Sequence, residues 1–293
     1  MEKRNYIWLN GEFINFTQPI IGVTNRSFAY GDGFFETIHA HGTEAKHLNL
    51  HVNRMIKSMN VLGMEAPSFF SQDFLSKEIT RLLNKNRDFG SVRVRVTVFR
   101  NEGGLYAPTN NSVGIAIQAN PLPQNFYPLN TKGLVVDIFT NLRKPINILS
   151  PIKSCNAQLY VLAGIFKQQA NVDDCLIIND QNRIAEALSS NVFLVKDKTI
   201  YTPGISEGCV AGVMRQVVIS LAKKEGYIVI DDCELKPEML ANADELFLTN
   251  AISGIQWIVG LRHKRFFGVV SRKLSLVLNK ETFPDQFKEG FSG

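Results

Sequence analysis

The run 91–99 constrains the fold more than any other part of this chain. Val92, Val94, Val96 and Val98 alternate with Arg93, Arg95 and Thr97. Successive side chains of an extended strand point to opposite faces, so one face of such a strand is buried and the other is polar. Leu48, Val52, Met55, Met59 and Leu62 recur at steps of four and three, which predicts a helix over about 48–62 with one buried stripe. A second helix is expected over about 74–84. At the N-terminus, Tyr6-Ile-Trp-Leu9 and Glu12-Phe-Ile14 flank Asn10-Gly11, a dipeptide suited to a hairpin turn. Another strand follows Gly31-Asp-Gly33 through Phe34-Phe-Glu-Thr-Ile38.

The segment Asn120-Pro-Leu-Pro-Gln-Asn-Phe-Tyr-Pro128 breaks this pattern. Its three prolines disfavour helix and sheet interiors. We read 1–120 as one α/β domain, 121–130 as a linker and 131–293 as a second α/β domain. The second half carries expected strands near 134–139, 175–178, 192–195, 199–201, 227–230 and 245–249. Helices are expected over about 156–169 and 213–225, the latter ending at Gly226. Strands and helices are mixed in both halves, which implies a mixed α/β (α+β) fold and not a simple parallel array.

Composition narrows the function. Hydrophobic residues make up 45% and charged residues 20% of the 293, as in ordinary globular enzymes. The net charge of +5 is spread along the chain, with no basic tail and no nucleic-acid reader motif. No apolar run approaches the roughly 20 residues that cross a bilayer. Met1-Glu-Lys-Arg-Asn-Tyr6 lacks the apolar stretch of a signal peptide, so a cytoplasmic location is expected. Cys155, Cys175, Cys209 and Cys233 are far apart and form no zinc spacing. His39, His41, His47 and His51 cluster in sequence without a metal-binding frame, so no metal is expected. Gly31-Asp-Gly33 begins like a dinucleotide fingerprint but lacks the third glycine and precedes a strand.

Several residues suggest chemistry. Lys153 stands after a proline-marked turn and before a predicted helix, where an amine can serve as a nucleophile. Glu186 lies between two apolar strands; it is either a turn residue or a carboxylate partner for a ring nitrogen. His51, Arg54 and Ser58 form a polar stripe on the first helix. That stripe is either a solvated face or a phosphate site, since guanidinium presents a fork to phosphate oxygens. Gly208-Cys-Val-Ala-Gly-Val-Met-Arg215 opens a helix whose N–H groups can converge on an anion. Thr249-Asn-Ala251, at the end of an apolar strand, offers a hydroxyl and amides for the same purpose.

In order along the chain, these segments resemble the class IV (fold type IV) pyridoxal-phosphate enzymes. The stretches that carry the resemblance are Asn25-Arg-Ser-Phe-Ala-Tyr-Gly-Asp-Gly-Phe-Phe-Glu-Thr37, His51-Val-Asn-Arg54, Ile152-Lys-Ser-Cys-Asn156, Glu186-Ala-Leu-Ser-Ser-Asn-Val-Phe193, Tyr201-Thr-Pro203, Gly212-Val-Met-Arg215 and Leu248-Thr-Asn-Ala251. The resemblance implies a two-domain fold like that of D-amino acid aminotransferase, a homodimer, and pyridoxal 5'-phosphate as cofactor. It implies that Lys153 carries the cofactor as a Schiff base and transfers the substrate's proton. Glu186 would pair with the pyridine nitrogen. Arg54, Val213, Met214 and Thr249 would hold the phosphate. Tyr30, Phe35, Glu36, Asn250 and Ala251 match positions that meet a small amino substrate.

Within the group, Gly212-Val-Met-Arg-Gln216, Thr249-Asn-Ala-Ile-Ser-Gly-Ile-Gln256 and Arg100-Asn-Glu-Gly-Gly-Leu-Tyr-Ala-Pro108 resemble aminodeoxychorismate lyases. Lyases of the group often carry arginine after the paired glycines, where Leu105 stands here. Arg93, Arg95 and Arg143 are the candidates to replace its charge. A branched-chain or D-amino acid aminotransferase is the alternative, although the loop lacks the Arg-x-His pair of the latter. A pyridoxal-phosphate-binding protein without turnover is the remote one.

Overall fold

The computed structural model describes residues 5–18 and 21–287. Residues 1–4, on which the signal-peptide reading partly rests, lie outside them. The chain divides into two units, Met1–Asn125 with Ile152–Asn156, and Phe126–Pro151 with Ala157–Gly293. The first boundary falls within the proline-rich segment. The short piece that carries Lys153 groups with the first unit, not with the chain on either side of it.

In the first unit the described elements are β1 (Tyr6–Leu9), β2 (Glu12–Asn15), α1 (Arg26–Tyr30), β3 (Gly33–His41), β4 (Glu44–Ala45), α2 (Leu48–Val61), α3 (Gln72–Asn86), β5 (Ser91–Arg100) and β6 (Val113–Pro121). Among the described residues they form a six-stranded sheet in the order β2-β1-β6-β5-β3-β4. The expected hairpin is present, with Asn10 and Gly11 both at positive φ. The valines of β5 are buried with Met55, Met59, Leu75 and Ile79 of α2 and α3 in one core cluster. Each such valine contributes roughly 1.5–3 kcal/mol over its exposed state. Ser71 caps α3 by accepting the Phe74 N–H at 3.2 Å. Asn25 caps α1 in the same way through Ser27.

Gly31-Asp32-Gly33 is the turn from α1 into β3. Gly31 sits at φ 66°, and a side-chain carbon on Gly33 would stand 2.3 Å from Ser27 Oγ and 2.8 Å from the Val98 carbonyl. The glycines therefore serve backbone packing, in keeping with their failure as a dinucleotide fingerprint. His39 and His41 both reach Ser91 Oγ, at 2.8 and 3.1 Å.

The second unit contains β7 (Leu134–Lys144), α4 (Gln158–Gln169), β8 (Asp174–Asn179), β9 (Ile184–Ala187), β10 (Asn191–Lys196), β11 (Thr199–Pro203), α5 (Val213–Lys224), β12 (Ile228–Cys233), α6 (Pro237–Ala241), β13 (Glu245–Asn250), β14 (Gly254–Leu261), β15 (Lys264–Arg265) and α7 (Val270–Thr282). Its described strands form one sheet in the order β12-β11-β10-β13-β14-β7-β8-β9, with β15 attached to β14. Parallel and antiparallel pairs are mixed. Apolar side chains on β10, β13 and β14 fill clusters with α5 and α7 on one side and with Leu235 and Leu240 on the other. The mixed α/β fold expected from the sequence is thus the one observed. No helix among the described residues is long and apolar enough to cross a membrane.

Candidate active site

In the second unit the polar centre is Glu186. It is not in a turn. It lies on β9, whose four residues are all buried, and is itself 3% exposed. Three groups compensate the carboxylate. Its Oε1 accepts from Lys144 Nζ at 2.5 Å and from the Tyr160 hydroxyl at 2.6 Å, and its Oε2 accepts the Val210 N–H at 2.8 Å. A buried carboxylate without such partners would cost several kcal/mol. Burial first, and then the Glu186 charge and the hydrogen bond to it, push the Tyr160 phenol far up, so Tyr160 remains a donor at neutral pH.

The N-terminus of α5 lies along the chain from Val210. Asn191 fixes it by donating from Nδ2 to the Val210 carbonyl at 2.9 Å. A side-chain carbon on Gly212 would stand 1.8 Å from Asn191 Oδ1, so only glycine fits there. No side chain caps α5, and its first turn carries no acidic residue. Asn191 is also paired in register with Thr249 on β13. The Thr249 hydroxyl is buried, at 1% exposure for the residue, and has no hydrogen-bond partner. Uncapped N–H groups of Val213 and Met214, with an unmatched buried hydroxyl on β13, which packs against α5, are donors suited to an anion. Asn250 is used differently. Its Oδ1 accepts the N–H groups of Ile252 and Ser253, and its Nδ2 donates to Ser190 Oγ. It therefore shapes the turn that carries Ala251.

In the first unit, Lys153 is held as an added strand edge. The Phe35 N–H donates to the Lys153 carbonyl, and the Cys155 N–H donates to the Gly33 carbonyl, both at 2.9 Å. Lys153 Nζ lies 4.5 Å from the Phe35 ring centroid, and Arg95 Cζ lies 3.7 Å from the same centroid. Arg95 reaches this ring because Phe35 on β3 is paired with Thr97 on β5, two residues along from Arg95. Arg93 is exposed and takes no part in this group.

The polar stripe of α2 is not solvated. His51 and Ser58 are buried, and Arg54 presents Nε and Nη2 to the two oxygens of Glu36 at 2.7 and 2.6 Å. His51 Nδ1 lies 2.6 Å from Glu36 Oε2. Burial alone would raise the Glu36 carboxyl, but Arg54 and His51 outweigh it and hold it at about 2. Glu36, expected near substrate, is 1% exposed and orients Arg54 instead.

Tyr30 packs against Tyr106 with ring centroids 5.5 Å apart. Arg26 pins this loop: its Nη1 donates to the carbonyls of Gly103, Gly104 and Leu105. Gly103 and Gly104 both have positive φ, and a side-chain carbon on Gly104 would stand 2.1 Å from the Ala107 carbonyl. The paired glycines thus follow from the loop's backbone, and Leu105 projects outward at 75% exposure. Sequence reasoning does not single out Arg26, Lys144 or Asn191. Arg26 and Asn191 sit inside the resembling segments, but nothing in the sequence marks Lys144.

Comparison with known proteins identifies the family. The family model for amino-transferase class IV matches residues 33–260. A putative branched-chain-amino-acid aminotransferase of Methanocaldococcus jannaschii is 28% identical, covering 95% of each chain. An aminodeoxychorismate lyase of Vibrio harveyi is also 28% identical, over 87% of this chain and 90% of its own. Among solved structures, a branched-chain amino acid aminotransferase from T.th., complexed with N-(5'-phosphopyridoxyl)-L-glutamate, superposes with a TM-score of 0.85. It is 25% identical, over 96% of this chain and 94% of that one. On a family match spanning most of its length, the chain belongs to the class IV amino-transferases, a family of pyridoxal-phosphate enzymes.

Proposed function

We propose that this enzyme acts through Lys153 on an amino substrate bearing a carboxylate, and that its reaction is the release of pyruvate and p-aminobenzoate from 4-amino-4-deoxychorismate. The observation that carries this reading is the grouping of Arg95 with Lys153 around Phe35. It supplies a fixed cation beside the reactive amine, which Leu105 cannot. Guanidinium matches a carboxylate through two parallel hydrogen bonds.

The residues present fit pyridoxal phosphate. Thr249, with its unmatched hydroxyl, and the uncapped N–H groups of Val213 and Met214 receive the phosphate. Arg54, oriented by Glu36, is the guanidinium that the family resemblance assigns to the phosphate. By the same resemblance Glu186 would accept from the ring nitrogen, and Lys153 would be the attachment lysine. When bound, the cofactor supplies an electron sink for the carbon that bears the substrate amine. Lys153 Nζ would be the base that removes the proton from that carbon. Loss of that proton and cleavage of the neighbouring C–O bond, whose electron pair leaves on the enolpyruvyl oxygen, would make the ring aromatic; a proton delivered to the enolpyruvyl methylene carbon, equal to the one Lys153 removed, would complete pyruvate. Arg95 holds a carboxylate throughout, and Tyr30 and Phe35 wall the substrate.

A second reading, transamination of a branched-chain amino acid, is favoured by the names of the Methanocaldococcus relative and the superposed structure. One assay separates the two. Cofactor-loaded enzyme is mixed with 4-amino-4-deoxychorismate, and p-aminobenzoate is followed by fluorescence. Prompt, enzyme-dependent product supports the lyase. Absence of product, with 2-oxo acid formed from leucine or valine and 2-oxoglutarate, refutes it in favour of the aminotransferase.

The enzyme works as a homodimer in this proposal. Val161, Leu162 and Ile165 of α4 are exposed, as are Leu142, Ile148 and Leu149 of the same unit. Exposed apolar side chains in such number mark an interaction surface.

A further inference from the structure

Glu186 is not left with its full charge for a ring nitrogen, because a second cation already shares it. Lys144 is the last residue of β7 and is 5% exposed. A register irregularity between Phe139 and Lys144 brings it opposite Asn179, and its carbonyl accepts the Asp180 N–H at 3.1 Å. Its Nζ meets Glu186 Oε1 at 2.5 Å and lies 5.5 Å from the Tyr160 ring centroid. Each carboxylate oxygen has two lone pairs. Oε1 accepts from both Lys144 and Tyr160, so it is filled. Oε2 accepts only from Val210 among the contacts described, which leaves it the oxygen for a further donor.

Two other titratable groups near Glu186, Cys209 and Tyr160, are neutral. Burial, then the Glu186 charge, pushes the Cys209 thiol up to about 11 against the pull of Arg215 and Lys144. Tyr160 is likewise kept protonated. Lys144 is therefore the charged group in contact with Glu186. A pyridinium on Oε2 and an ammonium on Oε1 would be two like charges sharing one carboxylate, and each weakens the hold of that carboxylate on the other.

Resting on the reading of Glu186 as the ring-nitrogen partner, we infer that Lys144 is a positioning residue that weakens Glu186's grip on the ring-nitrogen proton and so moderates the electron sink. Nothing about the Lys144 side chain requires contact with substrate. Its influence runs through Glu186.

The test is the 15N NMR signal of holoenzyme loaded with ring-15N pyridoxal phosphate, which reads nitrogen protonation independently of turnover. Lys144→Met and Lys144→Gln remove the charge, the second keeping a donor in place should the first fail to fold. Both should move the signal toward its protonated limit at a given pH. Lys144→Arg, which keeps the charge, should stay at the wild-type position. In a Glu186→Gln background, Lys144→Gln should produce no further movement. The inference is overturned by a wild-type signal already at the protonated limit, by neutral variants that leave the signal in place, or by a shift that survives Glu186→Gln. If Glu186→Gln alone moves the signal while Lys144→Gln does not, only the role of Lys144 fails. If Glu186→Gln leaves it unmoved, the reading of Glu186 fails as well.

Discussion

Replacing Glu36 by glutamine tests whether the buried cluster that orients Arg54 is held by charge. The Glu36 carboxyl is held at about 2 against an ordinary 4.5, with Arg54 and His51 as the groups that overcome its burial. At about 1.4 kcal/mol for each factor of ten in acidity, that difference corresponds to about 3 kcal/mol of folding stability at pH 7. The native carboxyl is the stronger acid, so its contribution is complete well above pH 4.5 and is lost as pH falls toward 2. At pH 3 about 1.4 kcal/mol of it remains. The amide of the variant has no charge to lose. Urea unfolding of the cofactor-free protein should therefore show wild type above Glu36→Gln by at least about 3 kcal/mol at pH 7, the lost buried pair setting the scale. The gap should narrow by about 2 kcal/mol between pH 7 and pH 3. A gap that is constant across this range refutes the reasoning, because it would mean that shape and hydrogen bonding, not ionisation, hold the cluster together.

Thr249→Val replaces an unmatched buried hydroxyl by a methyl group of similar shape. The cofactor-free protein should be as stable as wild type or slightly more so, while pyridoxal phosphate binds about tenfold more weakly, the worth of one hydrogen bond to an anion. Gly212→Ala brings a carbon within 1.8 Å of Asn191 Oδ1. It should lower stability by about 1–3 kcal/mol and weaken cofactor binding, both read by thermal melts with and without pyridoxal phosphate. Arg95→Gln should raise KM for the carboxylate-bearing substrate at least about tenfold while leaving the visible spectrum of the loaded enzyme unchanged, as expected for loss of a charged hydrogen-bond pair. Val161→Asp should shift the protein from dimer to monomer in light scattering, by placing a charge in the apolar face of α4.

The parts of the fold that are legible in the sequence are those where one face alone is buried. The alternation of β5, the stripe of α2 and the Asn10-Gly11 turn each state their geometry locally. Elements that the pattern does not reveal lack that contrast. In α7 the buried face includes Ser271, Ser275, Asn279 and Thr282 beside Leu274 and Leu278, so its hydrophobic period is diluted. There Asn279 is buried because it serves the backbone of Tyr127, a partner far away in sequence. β9 is hidden because a glutamate occupies it, and that glutamate is tolerated only because Lys144, Tyr160 and Val210 converge on it. The site divides in the same way. Lys153, Glu186 and the α5 entrance are candidates marked by the ordered motifs. The burial of the His51, Arg54 and Ser58 stripe is not, since Glu36 lies on another element. The approach of Arg95 to Phe35 becomes visible only through the pairing of β3 with β5.

Which lysine the cofactor occupies decides the rest. Two lysines of the described residues lie against the groups considered above, Lys153 against Phe35 and Lys144 against Glu186. Borohydride reduction of the loaded enzyme followed by peptide mass mapping would fix the attachment. The label is expected on Lys153, with an unlabelled, inactive protein in Lys153→Ala. A label on Lys144, or turnover that persists in Lys153→Ala, would overturn the assignment of the site.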